Sequence, residues 1–187
     1  ITGLGAVTPL GNDIGSNWSA AIAGKCGIAA IRGFEGEDLP ISVAGQVKGF
    51  DPLAAGLSAA DVRHYDIYCQ YAVAAALEAM ADSGLVSGEN IAAGRLGVYI
   101  GSGIGGLQTF VNQTKVYMEG GARRVSPLFI PMMIGNMASG NCAIRFDARG
   151  VNLSTVAACA SSTNSVGEAY IAVRDGRADA IISGGAE

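Results

Sequence analysis

Residues 151–175 read VNLSTVAACASSTNSVGEAYIAVRD, and the change of period within this stretch decides the fold. Val151, Leu153, Thr155 and Ala157 alternate with Asn152, Ser154 and Val156, which is the period of a strand. From Ala160 onward Val166, Tyr170 and Val173 recur at helical intervals, and Gly176 follows as a stop signal. Cys159 therefore falls where a strand ends and a helix begins. A thiol placed there faces backbone N–H groups without intrahelical partners and the positive end of the helix dipole. Both favour the thiolate, which is the nucleophilic form. Position alone leaves two readings open, because a free cysteine is also a common buried packing residue.

On either side the pattern continues. Downstream, Ala180-Ile181-Ile182 reads as another strand, and upstream Leu96 to Ile100 is a short apolar run suited to a buried one. That run feeds Gly101-Ser102-Gly103-Ile104-Gly105-Gly106, which matches the spacing of a dinucleotide-binding turn. No strand ending in Asp or Glu follows about 20 residues later, as such a site requires. The better reading is a tight strand-to-helix turn that presents Ile104 to an apolar channel, with core packing as the alternative. A helix bearing Leu107, Phe110, Val111 and Met118 comes next. Ser126 to Asn141 is then rich in Pro, Met and Phe; its flexible thioethers suit a long apolar ligand or a subunit interface.

Nearer the start, Ile1 to Val7 reads as a strand, and Asn12 or Asp13 as the cap of a helix with stripe Ile14, Trp18 and Ile22, stopped by Gly24. Residues 27–40 read as loop, and Ile41, Val43 and 45–47 as a short strand or hairpin arm. One long helix is expected from Ser58 to about Asp82, with Val62, Tyr65, Cys69, Val73, Ala76, Leu77 and Met80 on one side and Gly84 as its end. His64, the only histidine, reads as a solvated or capping residue of that helix. Strands alternating with helices imply an α/β fold with a mostly parallel sheet.

Several blocks carry a family resemblance over the whole chain. They are Ile1-Thr2-Gly3-Leu4-Gly5-Ala6-Val7-Thr8-Pro9-Leu10-Gly11, the glycine turn 101–106, Ser126-Pro127-Leu128-Phe129-Ile130-Pro131, Asn136-Met137-Ala138-Ser139-Gly140, Thr155 to Ser162, and Ser183-Gly184-Gly185-Ala186-Glu187. Together they resemble the β-ketoacyl-acyl-carrier-protein synthases, closest to the type II elongating enzymes of fatty-acid synthesis. The family often has Thr where Ala157 stands, and Gly-Pro-Asn in place of Gly150-Val151-Asn152.

The resemblance implies that residues 1–187 are the N-terminal half of a thiolase-like fold, with the nucleophile at the start of a buried helix between two sheets. It implies a decarboxylating Claisen condensation in which Cys159 accepts an acyl group and a malonyl-derived enolate attacks the resulting thioester. Ile104, Phe129 and Met133 become substrate-binding candidates. The partner implied is acyl carrier protein, with acyl and malonyl groups on its phosphopantetheine. A homodimer paired through the 151–157 edge strand, which carries no Lys, Glu or Pro, is also implied. No cofactor is called for. Two histidines of the family's C-terminal half supply further donors, and His64 matches neither, so this chain alone is expected to be inactive. The alternatives are a non-condensing half-module or partner subunit, a thiolase-type relative, or a cysteine hydrolase, which would want a paired base that His64 hardly offers.

Composition narrows the class. Half of the 187 residues are apolar and 15% are charged, enough for a real core and too little charge for disorder. A net charge of −4 without Lys/Arg clusters argues against nucleic acid, and Arg123-Arg124 is the candidate local docking patch, with a solvated turn as the alternative. Cys26, Cys69, Cys142 and Cys159 form no Cys-x-x-Cys pair, which argues against zinc. No apolar run approaches the roughly 20 residues of a membrane span, and no signal pattern opens the chain. A cytoplasmic protein with reduced thiols is the expectation.

Overall fold

A computed structural model describes residues 1–33 and 38–187. In chain order the elements are α1 (Ile14–Ile22), β1 (Ala29–Ala30), β2 (Val43–Ala44), α2 (Ala59–His64), α3 (Ile67–Ser83), β3 (Leu96–Gly101), α4 (Leu107–Gly120), α5 (Phe129–Met133), α6 (Met137–Arg145), β4 (Asn152–Leu153), α7 (Ser161–Arg174) and β5 (Ala180–Gly185). β3 is the centre of a parallel sheet of order β4-β3-β5, with Val98 opposite Asn152 on one side and Ile182 on the other. Every residue of β3 is buried, as a parallel strand covered on both faces requires.

Alternation along β3 sorts the two faces. Leu96, Val98 and Ile100 join Tyr68, Cys69 and Val73 of α3 and Ala138 and Cys142 of α6 in one core. Tyr99 points the other way and packs with Ala169 and Ala172 of α7. The result is a sheet between helical layers, so the α/β reading with a mostly parallel sheet holds. β1 and β2 form a separate antiparallel hairpin, with Ala29 opposite Ala44. Ala29–Ala30 was read as loop, and residues 34–37 of that loop lie outside the described residues.

Three expectations need correction. Ile1–Val7 carries no strand ladder among the described residues. It is laid across α3, where Gly3 and Gly5 press on the carbonyls of Ala79 and Ala75 too closely for any Cβ. Its amides find carboxylates there: Leu4 N donates to Asp82 (3.0 Å) and Ala6 N to Glu78 (3.1 Å). The long helix expected from Ser58 is broken at Tyr65, whose backbone is extended. Gln70 Nε2 donates to Val62 O and Tyr65 O, so the end of α2 is satisfied by a side chain of α3. The apolar stripe runs in phase across the break, which is why periodicity merges the two helices. The third correction concerns faces. Trp18 and Ile22 of α1, Leu107, Phe110, Val111 and Met118 of α4, and Val166, Tyr170 and Val173 of α7 are all exposed in this chain. Their helices turn inward instead with Asn17, Thr109, and Ser161 with Ser165.

Asp66 shows how such polar contacts position the site. Its buried carboxylate caps α3 by accepting from Tyr68 N (3.3 Å). It also accepts from both the amide (3.0 Å) and the hydroxyl of Thr109, in the first turn of α4. One side chain thus ties two helix starts together. Replacing Asp66 by Ala strands these donors in the interior, at about 1–3 kcal/mol for a buried group left unmet. The expected loss is roughly 2–4 kcal/mol in urea unfolding, with a smaller loss for Asp66→Asn, which keeps one acceptor oxygen.

Candidate active site

The turn that carries Cys159 is held from inside. After β4 the chain runs to Ala158, which takes a left-handed conformation (φ 49°), and α7 begins at Ser161. For a residue with a Cβ that conformation costs roughly 1–2 kcal/mol. The neighbours that enforce it are polar. Buried Ser161 accepts from Ala157 N through Oγ (2.9 Å) and donates the same hydroxyl to Ala158 O (2.7 Å), bracketing the turn. Thr155 Oγ1 donates to Ser161 O (2.8 Å) and meets Ser165 Oγ at 2.8 Å. Cys159 stands at the exposed apex. Among the described residues no acceptor takes the amides of Cys159, Ser162 and Thr163. They leave donors beside the thiol, as an oxyanion formed on a Cys159 thioester would need. Sequence reading placed the turn but not the bracket that Ser161 forms; its place in the first turn, four residues after Ala157, was the available signal.

The other cysteines divide cleanly. Burial pushes the Cys69 thiol up to about 11 and the Cys142 thiol up to about 12. Both therefore stay protonated and enclosed at neutral pH. Cys26 and Cys159 are exposed.

The glycine turn packs against this apex. A Cβ on Gly103 would lie 3.4 Å from Ala158 Cα, so the two backbones are in contact. Its amides are already occupied: Gly103 N and Ile104 N donate to the carboxylate of Glu187 at 2.6 and 3.1 Å. Such a nest of successive N–H groups binds anions, and here the protein's own carboxylate fills it. A phosphate would meet negative charge, which disposes of the dinucleotide reading. Glu187 in this role was not foreseen from the sequence.

Of the substrate-binding candidates, Ile104 is exposed at the tip of the glycine turn. Met133 lies behind that turn, its carbonyl accepting from Gly106 N (2.8 Å). Phe129 is half-buried one turn earlier on α5, with its ring 6.2 Å from that of Phe110 on α4. It opens on an apolar groove of about 210 Å³ shared with Phe110, Tyr117 and Val125. The glycine turn thus lies between Ala158 and Met133, while Phe129 faces the outer side of α4 and α5. Pro131 sits in the first turn of α5, where a missing N–H costs nothing. A cleft of about 160 Å³ at the β1–β2 hairpin involves none of these residues. His64 is exposed at the end of α2. Among the described residues no group of three or more His, Cys, Asp and Glu side chains could hold a metal ion. No helix there is long and apolar enough to cross a membrane.

The model for the beta-ketoacyl synthase N-terminal domain matches residues 1–187. The chain is 46% identical over 187 residues to the 3-oxoacyl-[acyl-carrier-protein] synthase 2 of Staphylococcus aureus, covering all of this chain and 46% of that protein. The chain therefore spans less than half the length of this relative. A beta-ketoacyl synthase structure from Burkholderia phymatum superposes with a TM-score of 0.81 at 28% identity, over 95% of this chain and 44% of that one. A type II PKS ketosynthase, solved in complex with its acyl-carrier protein, superposes with a TM-score of 0.80 at 20% identity, over 100% of this chain and 50% of that one, and shares the fold. These neighbours give the sheet and its helices a thiolase-like ketosynthase architecture.

Thiol labelling of the folded chain with iodoacetamide near pH 8 is expected at Cys26 and Cys159, with Cys69 and Cys142 labelled only after unfolding. Because Cys69 and Cys142 are raised from an ordinary 9.0, the fold keeps protons that the unfolded chain loses. Stability is therefore expected to be unaffected by these thiols below pH 9 and to fall as pH rises from 9 through 11–12, as followed by urea titration.

Proposed function

The chain belongs to the beta-ketoacyl synthase family through its N-terminal domain, and from that premise we propose that it carries the nucleophile of a 3-oxoacyl-acyl-carrier-protein synthase of fatty-acid biosynthesis. The observation that supports this reading best is the exposed Cys159 thiol at the apex of a strained turn, beside the open amides of α7. In the first step Cys159 Sγ attacks an acyl thioester on the phosphopantetheine of acyl carrier protein. A new S–C bond forms at Cys159, the old S–C bond breaks, and the carrier thiol leaves with the proton. In the second, malonyl-carrier protein loses carbon dioxide, and its enolate carbon attacks the Cys159 thioester. The β-ketoacyl product stays on the carrier and Cys159 is released as the thiolate. Dividing one difficult carbon–carbon bond formation into acylation and attack is covalent catalysis. The Cys159 amide is one oxyanion donor in this scheme. No cofactor enters.

Ile104, Met133 and Phe129 form the acyl-contacting set in this proposal, with Ile104 on the turn that meets Ala158. The full activity belongs to the whole protein, of which residues 1–187 form the N-terminal domain, and its setting is the cytoplasm. The S. aureus relative is more than twice as long as this chain, and the donors for the enolate are the histidines that the family resemblance puts outside residues 1–187. The protein acts as a homodimer through the free edge of β4, which is the outer strand of its sheet in this chain.

Two outcomes are expected. Incubating the full-length protein with an acyl-carrier thioester should place the acyl group on Cys159 alone by peptide mapping. Cys159→Ala should abolish both acylation and condensation, while residues 1–187 alone release no carbon dioxide from malonyl-carrier protein. Acyl label on another cysteine in Cys159→Ala would sink the assignment. Leu153→Lys, which puts a charge on the β4 edge, should shift the full-length protein from dimer to monomer in sedimentation. An unchanged dimer would place the interface elsewhere.

A further inference from the structure

Glu187 lies just past the end of β5, where Gly101 of β3 is still paired with Gly185 and Ala186 N still donates to Gly101 O (3.0 Å). Its carboxylate reaches across to the glycine turn and accepts three donors: Ser102 Oγ at 3.0 Å, Gly103 N at 2.6 Å and Ile104 N at 3.1 Å. Ser102, itself buried, accepts in turn from Gly105 N (3.0 Å), so the carboxylate governs the turn from residue 102 to residue 105. The same turn touches Ala158, the residue before the nucleophile, through Gly103. Hydrogen bonds to a carboxylate are roughly twice as strong as neutral ones, and Gly103 leaves the backbone little stiffness of its own at the point where the carboxylate binds. Glu187 therefore holds the Gly103–Ile104 side of the turn, which meets Ala158, while Met133 O holds the Gly106 side.

We propose that Glu187 is a positioning residue for acyl-chain selection: its carboxylate sets the turn at residues 102–105, and with it the place of Ile104, one residue from the Gly103 contact with Ala158. The proposal rests on the acyl-transfer reading above. Chains that must pass Ile104 feel its position, whereas the thiol, bracketed by Ser161, does not depend on Glu187. Losing the carboxylate should therefore alter which acyl groups are accepted more than it alters the nucleophile. Glu187→Gln keeps the length of the side chain but turns an NH2 toward donors, so it can retain only part of the set. Glu187→Asp retains the charge and draws it back by one methylene.

The test uses the full-length protein with short-chain and long-chain saturated acyl-carrier thioesters. In Glu187→Gln the ratio of kcat/KM values for the two substrates should change by roughly tenfold, the equivalent of one charged hydrogen bond. Iodoacetamide should label Cys159 at the unchanged rate, and amide exchange at Gly103 and Ile104 should quicken. Glu187→Asp should restore the ratio in part. Faster exchange with an unaltered ratio, or an equal loss for both substrates, overturns the proposal and leaves Glu187 structural. Failure of the unsubstituted protein to acylate Cys159 overturns the acyl-transfer reading and this proposal with it.

Discussion

The close approach of the first turn of α7 to the ends of β3 and β5 is the constraint on which the site depends. A Cβ at Gly101 would stand 2.7 Å from Ser161 O, and one at Gly185 would stand 2.6 Å from Ser162 Cβ. Real side chains do not tolerate such distances, so only glycine at both strand ends lets the helix settle on the sheet. With the helix seated there, Ser161 is buried and can bracket Ala157 and Ala158, and Cys159 is left as the residue at the apex. Ligand sites of open α/β sheets form beyond the carboxyl ends of the strands, and Cys159 and the glycine turn lie there.

Polar groups do the positioning, while apolar groups supply the bulk. The core between β3, α3 and α6 is made of Leu96, Val98, Ile100, Tyr68, Val73 and neighbours. What fixes the loops over that core is a set of long-range polar contacts. Glu78 accepts from Ala6 N and Ile14 N, and Asp66 from Thr109. Tyr68 donates its hydroxyl to Ile134 O. A buried polar group left without its partner costs more than a made bond contributes, so each such group admits one arrangement of its loop.

The expected and observed helices differ in one consistent way. An amphipathic stripe says that a helix has an apolar side, and does not say what that side meets. In α7 the sheet is met by small residues, while Val166, Tyr170 and Val173 face outward; Asn17 of α1 instead turns to the Ala6 and Gly11 carbonyls, and Thr109 of α4 to Asp66. Close helix-to-sheet contact selects small side chains, as at Ser165 and Ala169, because a large one would hold the layers apart.

What the sequence determined by itself was local. Period and turn chemistry were enough for the turn and helix at Cys159, for the buried run Leu96–Ile100, for the strand after Asp179, and for helix ends at Gly84 and Gly176, both left-handed in the structure; the strand read through Ala157 is laddered only at Asn152–Leu153. These features depend on steric rules among residues a few positions apart. The tertiary structure alone decided the break at Tyr65, the use of Ile1–Val7 as a strap on α3, the inward faces of the helices and the filling of the glycine turn by Glu187. The partners in those contacts lie 43 residues apart for Asp66 and Thr109, and 84 apart for Gly103 and Glu187. No local pattern encodes them, because the groups meet only after the sheet has brought distant segments of the chain together.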